Sequence, residues 1–166
     1  QALYADGALR PAPRADAEYV LAAGSIDAGQ TIEMVQAAHG AFGDDLLVKL
    51  HPASDADRIR RTLDPAVRFA DGPLGDLLPA ARAMVYTYSI VPYEALAAGV
   101  PPIFFQSQAL LDLDQLEPTP DVRWSGATPD DLRAAASAAA ARRADVQWRT
   151  RAQEVVGDAL AAPTGG

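Results

Sequence analysis

A chain of 166 residues has room for one well-buried domain and is too short for two α/β domains of ordinary size. Nearly half of it is apolar (49%), a moderate 22% is charged, and a net charge of −8 argues against a nucleic-acid surface, which would carry a basic footprint. The absence of cysteine excludes disulfides and thiolate zinc sites, and two histidines far apart in sequence offer a metal little.

In chain order, "QALYADGALRPAPRAD" mixes glycine, proline and alternating charge without periodicity, so residues 1–17 read as a linker or loosely attached arm. It lacks the basic-then-apolar pattern of a secretion signal, and no run of about eighteen apolar residues follows anywhere, so the chain reads as soluble. Residues 18–166 read as a single domain. Tyr19 to Ala23 form a short apolar run ending at Gly24, which predicts a buried strand. A polar loop, "GSIDAGQ", leads to "TIEMVQAAHGAFG", where Ile32, Val35, Ala38 and Phe42 recur at helical spacing before Gly43.

A second strand, Leu46 to Leu50, ends at His51-Pro52, because proline cannot continue a central ladder. "SDADRIRRTL" predicts an exposed helix capped by Ser54 or Asp55, with Arg58, Arg60 and Arg61 on its solvated face. "AVRFA" predicts a third strand, "GPLGDLLPAA" one or two helical turns, and "AMVYTYS" a fourth strand. After the helix "VPYEALAAG" come a fifth strand, "PPIFF", and a sixth, "DVRWS". From Thr128 one or two helices close the chain, with Thr128 as cap, Pro129 in the first turn and two aspartates at the positive end of the helix dipole. Trp124, Trp148, Met34 and Phe42 read as packing residues, and His39 as surface or helix end.

Strand and helix alternate about six times with short connections, which predicts an α/β, Rossmann-like, doubly wound parallel sheet with helices on both faces. Ligands of such sheets sit beyond the carboxyl ends of the strands, where the strand order reverses. The loops after strands one, two and four carry Gly24 and Ser25, then His51 and Pro52, then Thr87, Tyr88 and Ser89. Hydroxyls at a helix start point to an anion site, since the first backbone N–H groups of a helix have no partners of their own. They are equally what a plain helix cap needs. His51, fixed by Pro52 at a strand end, can donate to a phosphate or move a proton. Glu94 falls near a helix start, where negative charge is favoured and a carboxylate can face the ligand edge. Neither the dinucleotide fingerprint G-x-G-x-x-G nor a Walker motif is present, which removes ordinary dehydrogenase and P-loop readings.

Taken together, "YVLAAGS", "LLVKLHP", "GPLGDLLPAARAMVYTYSIVPYEALAAGVPPIFF" and the closing helices resemble the C-terminal, donor-binding domain of GT-B glycosyltransferases, over Glu18 to the chain end. Within that group the "KLHP" strand end and the later S-x-x-x-x-E-A-L-x-x-G-x-P are most similar to bacterial surface-polysaccharide enzymes with an HP motif. The resemblance implies that His51, Thr87 and Ser89 contact the donor phosphate, and that Glu94 contacts ribose or sugar. Catalytic roles fall to His51 and Glu94, and donor contacts to Gly24, Ser25, Pro52 and Tyr88. Where many relatives have adjacent hydroxyls, this chain has Thr87-Tyr88-Ser89, so Tyr88 alters the phosphate pocket or stacks on a base.

The implied function is binding of a nucleotide-sugar donor, without cofactor or metal, in the cytoplasm or at the inner membrane surface. A partner N-terminal acceptor domain would supply the rest of the active site. Two other expectations stand beside it: a sugar-nucleotide epimerase of the UDP-GlcNAc 2-epimerase type, and a non-catalytic α/β binding module.

Overall fold

Val20 and Ala22 face one way along their strand and Leu21 and Ala23 the other, yet all four are buried. That pattern requires a strand covered on both sides. The computed structural model, which describes residues 18–107, 116 and 119–162, supplies the cover. The predicted arm at 1–17 lies outside the described residues.

Six strands form one sheet: β1 (Tyr19–Ala23), β2 (Leu46–Lys49), β3 (Arg68–Phe69), β4 (Ala81–Tyr86), β5 (Pro102–Phe105) and β6 (Trp124–Gly126). All pairs are parallel and the spatial order is β3-β2-β1-β4-β5-β6. This is the doubly wound arrangement predicted, with its reversal between β1 and β4. The helices are α1 (Ala28–Phe42), α2 (Ala56–Thr62), α3 (Leu74–Leu77), α4 (Val91–Ala97), α5 (Pro129–Arg143) and α6 (Val146–Ala161).

One core cluster joins Val20, Ala22, Val48, Ala83, Val85 and Ile103 to α1, α2 and α5 through Met34, Val35, Ile59 and Leu132. On the opposite face Leu21, Ala23, Met84, Tyr86 and Phe104 meet Leu78, Ala95 and Val100. A third cluster ties α6 to α4, with Trp148, Ala152 and Val155 against Leu96 and Tyr93. Each fully buried Leu, Ile or Phe contributes about 1.5–3 kcal/mol, so the two-sided sheet is the main stabilising unit.

Several elements differ from the sequence expectation. β3 shrinks to two residues, because an edge strand needs to pair on one side only. β6 begins at Trp124 instead of Asp121, since Pro120–Val122 is a single 3₁₀ turn. The closing segment, expected as one or two helices, is two, separated where Asp145 leaves helical geometry and accepts a hydrogen bond from the Gln147 N–H (2.8 Å). Most consequential for function, α1 starts at Ala28 and not at Thr31, which turns the end of the expected polar loop into a helical first turn. The chain returns from α4 to β5 through Gly99, whose φ of 69° favours glycine.

Candidate functional site

The carboxyl ends of β1 and β4 are neighbours whose chains depart to opposite faces of the sheet, and this divergence opens a crevice. An open cleft of about 690 Å³ lies there, lined by Ser25, Ile26, Asp27, Ala28, Gln30, His51, Tyr88, Ser89 and Ile90. The three loops selected from sequence therefore meet at one place, and Ser25, His51, Tyr88 and Ser89 share its wall.

The β1–α1 wall is held from within. Thr31, fully buried, accepts a hydrogen bond from the Ser25 N–H (3.1 Å) and donates to the Asp27 carbonyl (2.9 Å), folding the loop back onto its helix. Asp27 caps α1 by accepting from the Gln30 N–H at 2.7 Å. The sequence signal for this cap was present: aspartate followed three places later by glutamine, "DAGQ", just before an apolar run, is a helix-start signature. It escaped the sequence reading, and with it Asp27 and Gln30 as cleft residues.

His51 Nδ1 accepts from the Ala53 N–H (3.0 Å), while the His51 carbonyl takes the Ser54 N–H and hydroxyl (3.0 and 2.7 Å). An Nδ1 used as acceptor fixes the proton on Nε2. His51 thus enters the cleft wall as a hydrogen-bond donor, on a turn locked by its own backbone. In the β4–α4 wall, Ser89 Oγ accepts from the Val91 N–H (3.0 Å), which leaves the hydroxyl proton for an outside acceptor.

The remaining candidates stand behind or beside the wall. Thr87 is buried; its hydroxyl accepts from the Tyr88 N–H and donates to Gln30 Oε1 at 3.3 Å. At Gly24 a Cβ would approach Thr31 Cγ2 to 3.0 Å, so the missing side chain makes room for Thr31. Pro52 is exposed and Glu94 half buried in the first turn of α4; neither lines the cleft.

Among the described residues Asp27 is the one formally charged side chain in the wall, and no lysine or arginine of theirs lines it. The polar groups facing a ligand are neutral donors together with the first turn of α1, whose N–H groups carry partial positive charge. Three of the five large apolar side chains exposed among the described residues, Ile26, Tyr88 and Ile90, rim the opening. Among those residues no group of three His, Asp or Glu side chains is placed to hold a metal ion, and no helix is long and apolar enough to cross a membrane.

No protein-family model matches this sequence, and no curated protein matches it. Solved structures do. A glycotransferase of kitacinnamycin superimposes with a TM-score of 0.57 at 21% identity, over 92% of this chain and 41% of that one. The C-terminal CMP-Kdo binding domain of WaaA from Acinetobacter baumannii gives 0.55 at 11% identity, over 85% and 90%. The catalytic domain of a cholesterol-α-glucosyltransferase from Helicobacter pylori gives 0.51 at 18%, over 87% and 99%. The chain therefore spans less than half of the kitacinnamycin enzyme and nearly all of the other two domains. At these identities the likeness shows architecture: the chain shares a Rossmann-like α/β fold with domains of these glycosyltransferases.

Proposed function

We propose that this chain is the donor-binding half of a glycosyltransferase, taking a nucleotide sugar in the cleft between β1 and β4. The observation that carries the proposal is that His51, Ser25 and Ser89, from three separate loops, line one cleft at the reversal of strand order. His51 Nε2–H and the Ser89 hydroxyl would donate to the donor phosphate, and the first turn of α1 would add its partial charge. As the glycosidic bond to the leaving nucleotide breaks, those fixed donors would stabilise the charge that grows on the phosphate. Tyr88, half exposed at the rim, would stack on the base.

On this reading Glu94 acts from the flank of α4 on the ribose or sugar, and Thr87 and Gly24 act through the residues they hold. A second domain would bring the acceptor over the cleft, and the product would belong to a bacterial surface polysaccharide made at the cytoplasmic face of the membrane. The WaaA domain, matched over most of its length and named for CMP-Kdo binding, supports the donor class.

A second reading has an observation of its own. The Ser89 and Thr87 hydroxyls both serve neighbouring backbone N–H groups, which is all that a non-catalytic module would require. Titration of the chain with CMP, CDP, UDP and GDP to millimolar concentration separates the two. Heat or chemical-shift change at residues 24–30, 51 and 87–90 is expected for the donor site; no response to any of the four would leave the module.

A further inference from the structure

We infer that Gln30 is a positioning residue that ties the two walls of the cleft together and spends its amide N–H groups on the ligand, an inference that rests on the donor-site reading. Its side-chain oxygen is approached by the Ser25 hydroxyl (3.4 Å) from the β1–α1 loop and by the Thr87 hydroxyl (3.3 Å) from the end of β4. These are the two chain segments whose divergence makes the crevice, and they are 62 residues apart by number, 87 − 25. Thr87 Oγ1 accepts the Tyr88 N–H and points its own proton at Gln30 Oε1, so the amide sits with its oxygen inward.

The Thr87 hydroxyl donates to that oxygen, and the Ser25 hydroxyl shares its one proton between it and the Asp27 carbonyl (3.3 Å). What Gln30 offers to the cleft it lines is then its NH₂ group, which can only donate. The backbone is equally committed, since the Gln30 N–H is held by Asp27 Oδ1 at 2.7 Å. Gln30 thus joins the His51 Nε2–H and the Ser89 hydroxyl as a third neutral donor, and it is the one whose other end senses both walls. Both hydroxyl contacts are long for O–H···O bonds. A phosphate oxygen drawing the NH₂ group forward would alter both at once, coupling occupancy to cleft width.

Two measurements test this on the intact chain. In a double-mutant cycle, Gln30→Leu and Thr87→Val are unfolded thermally, singly and together. The tie predicts that the double variant loses little more melting temperature than the worse single variant; additive losses overturn it. For the ligand end, Gln30→Glu keeps an acceptor for both hydroxyls but removes both amide donors. It should melt near the wild type and bind CDP and UDP at least about tenfold more weakly, consistent with loss of a donor to a charged group. Because a new carboxylate also repels phosphate, the titration is repeated at high ionic strength, where repulsion is screened and a missing donor is not. Weak binding that persists supports the inference, and binding restored to within twofold of wild type overturns it. Wild-type protein that binds neither of these, nor CMP or GDP, overturns the donor-site reading and the ligand end of this inference, while the mutant cycle still decides the tie.

Discussion

Two strand-to-helix joints in this molecule are built from the same parts and end differently. At β1–α1 a strand ends at a glycine and an aspartate caps the helix; at β6–α5 the strand ends at Gly126 and Thr128 caps. The second joint is closed. Asp131 Oδ2 accepts the Ala127 and Thr128 N–H groups (3.1 and 3.2 Å) while Thr128 Oγ1 accepts from Asp131, so the side chains turn inward on the backbone. A Cβ on Gly126 would come within 2.7 Å of Asp131 Cβ, which leaves no space for anything else. The first joint is open on one side because β4 runs beside it and its chain leaves over the opposite face. Local chemistry makes a helix start; the position of that start in the strand order makes it a candidate site.

The comparison can be broken in five ways, from the largest expected effect to the smallest. Gly126→Ala forces helix backbone to move, since Asp131 C and Leu132 N lie at 3.1 and 3.3 Å from the new methyl. Destabilisation of about 2–3 kcal/mol is expected by denaturant titration, with nucleotide affinity of the folded protein unchanged. Gly24→Ala meets a side chain instead, Thr31 at 3.0 Å, and should cost about 1 kcal/mol while weakening nucleotide binding several-fold, because Thr31 holds the Ser25 loop. If calorimetry found binding lost at Gly126 and intact at Gly24, the two joints would have been assigned the wrong way round.

Caps sharpen the contrast further. Thr128→Ala should lower stability by about 1 kcal/mol and leave binding alone. Asp27→Asn keeps the cap acceptor but removes the one carboxylate from the cleft wall, so affinity for CDP should rise by a factor of roughly 2–5 at low salt with little change in melting temperature. Equal or weaker binding would mean that the Asp27 carboxylate itself holds the ligand.

The smallest effect concerns pH. Hydrogen bonds from the Ala127 N–H, the Thr128 hydroxyl and the Thr128 N–H hold the Asp131 carboxyl below its ordinary value of 3.8. A lowered folded-state value means stability that is present above 3.8 and lost as pH falls through the lower value in the folded protein. Asp131→Asn should flatten that acid limb in thermal scans run from neutral pH downward.

What the sequence revealed and what it hid follow the same division. Buried strands announce themselves as apolar runs, so β1 matched its expected bounds, and caps such as Asp55 and Thr128 were readable because their residue types are strongly selected. Rossmann topology followed from alternation. Gln30 was hidden because its long-range partner, Thr87, becomes a neighbour only once β1 and β4 pair. Thr87 and Ser89 look alike on paper, yet burial separates them: Thr87 follows directly on β4 and is buried, while Ser89, two residues further on, lies in the wall of the cleft.

The third core cluster bears on how binding could be watched. Trp124 and Trp148, the two tryptophans of the chain, pack with ring centroids 6.0 Å apart at the α4–α6 support, and neither lines the cleft. Intrinsic indole emission should therefore follow the seating of the last helix and stay quiet when a ligand enters. Tyr88 is the built-in optical reporter at the rim, and a titration silent in indole emission would be the expected companion of a calorimetrically active one.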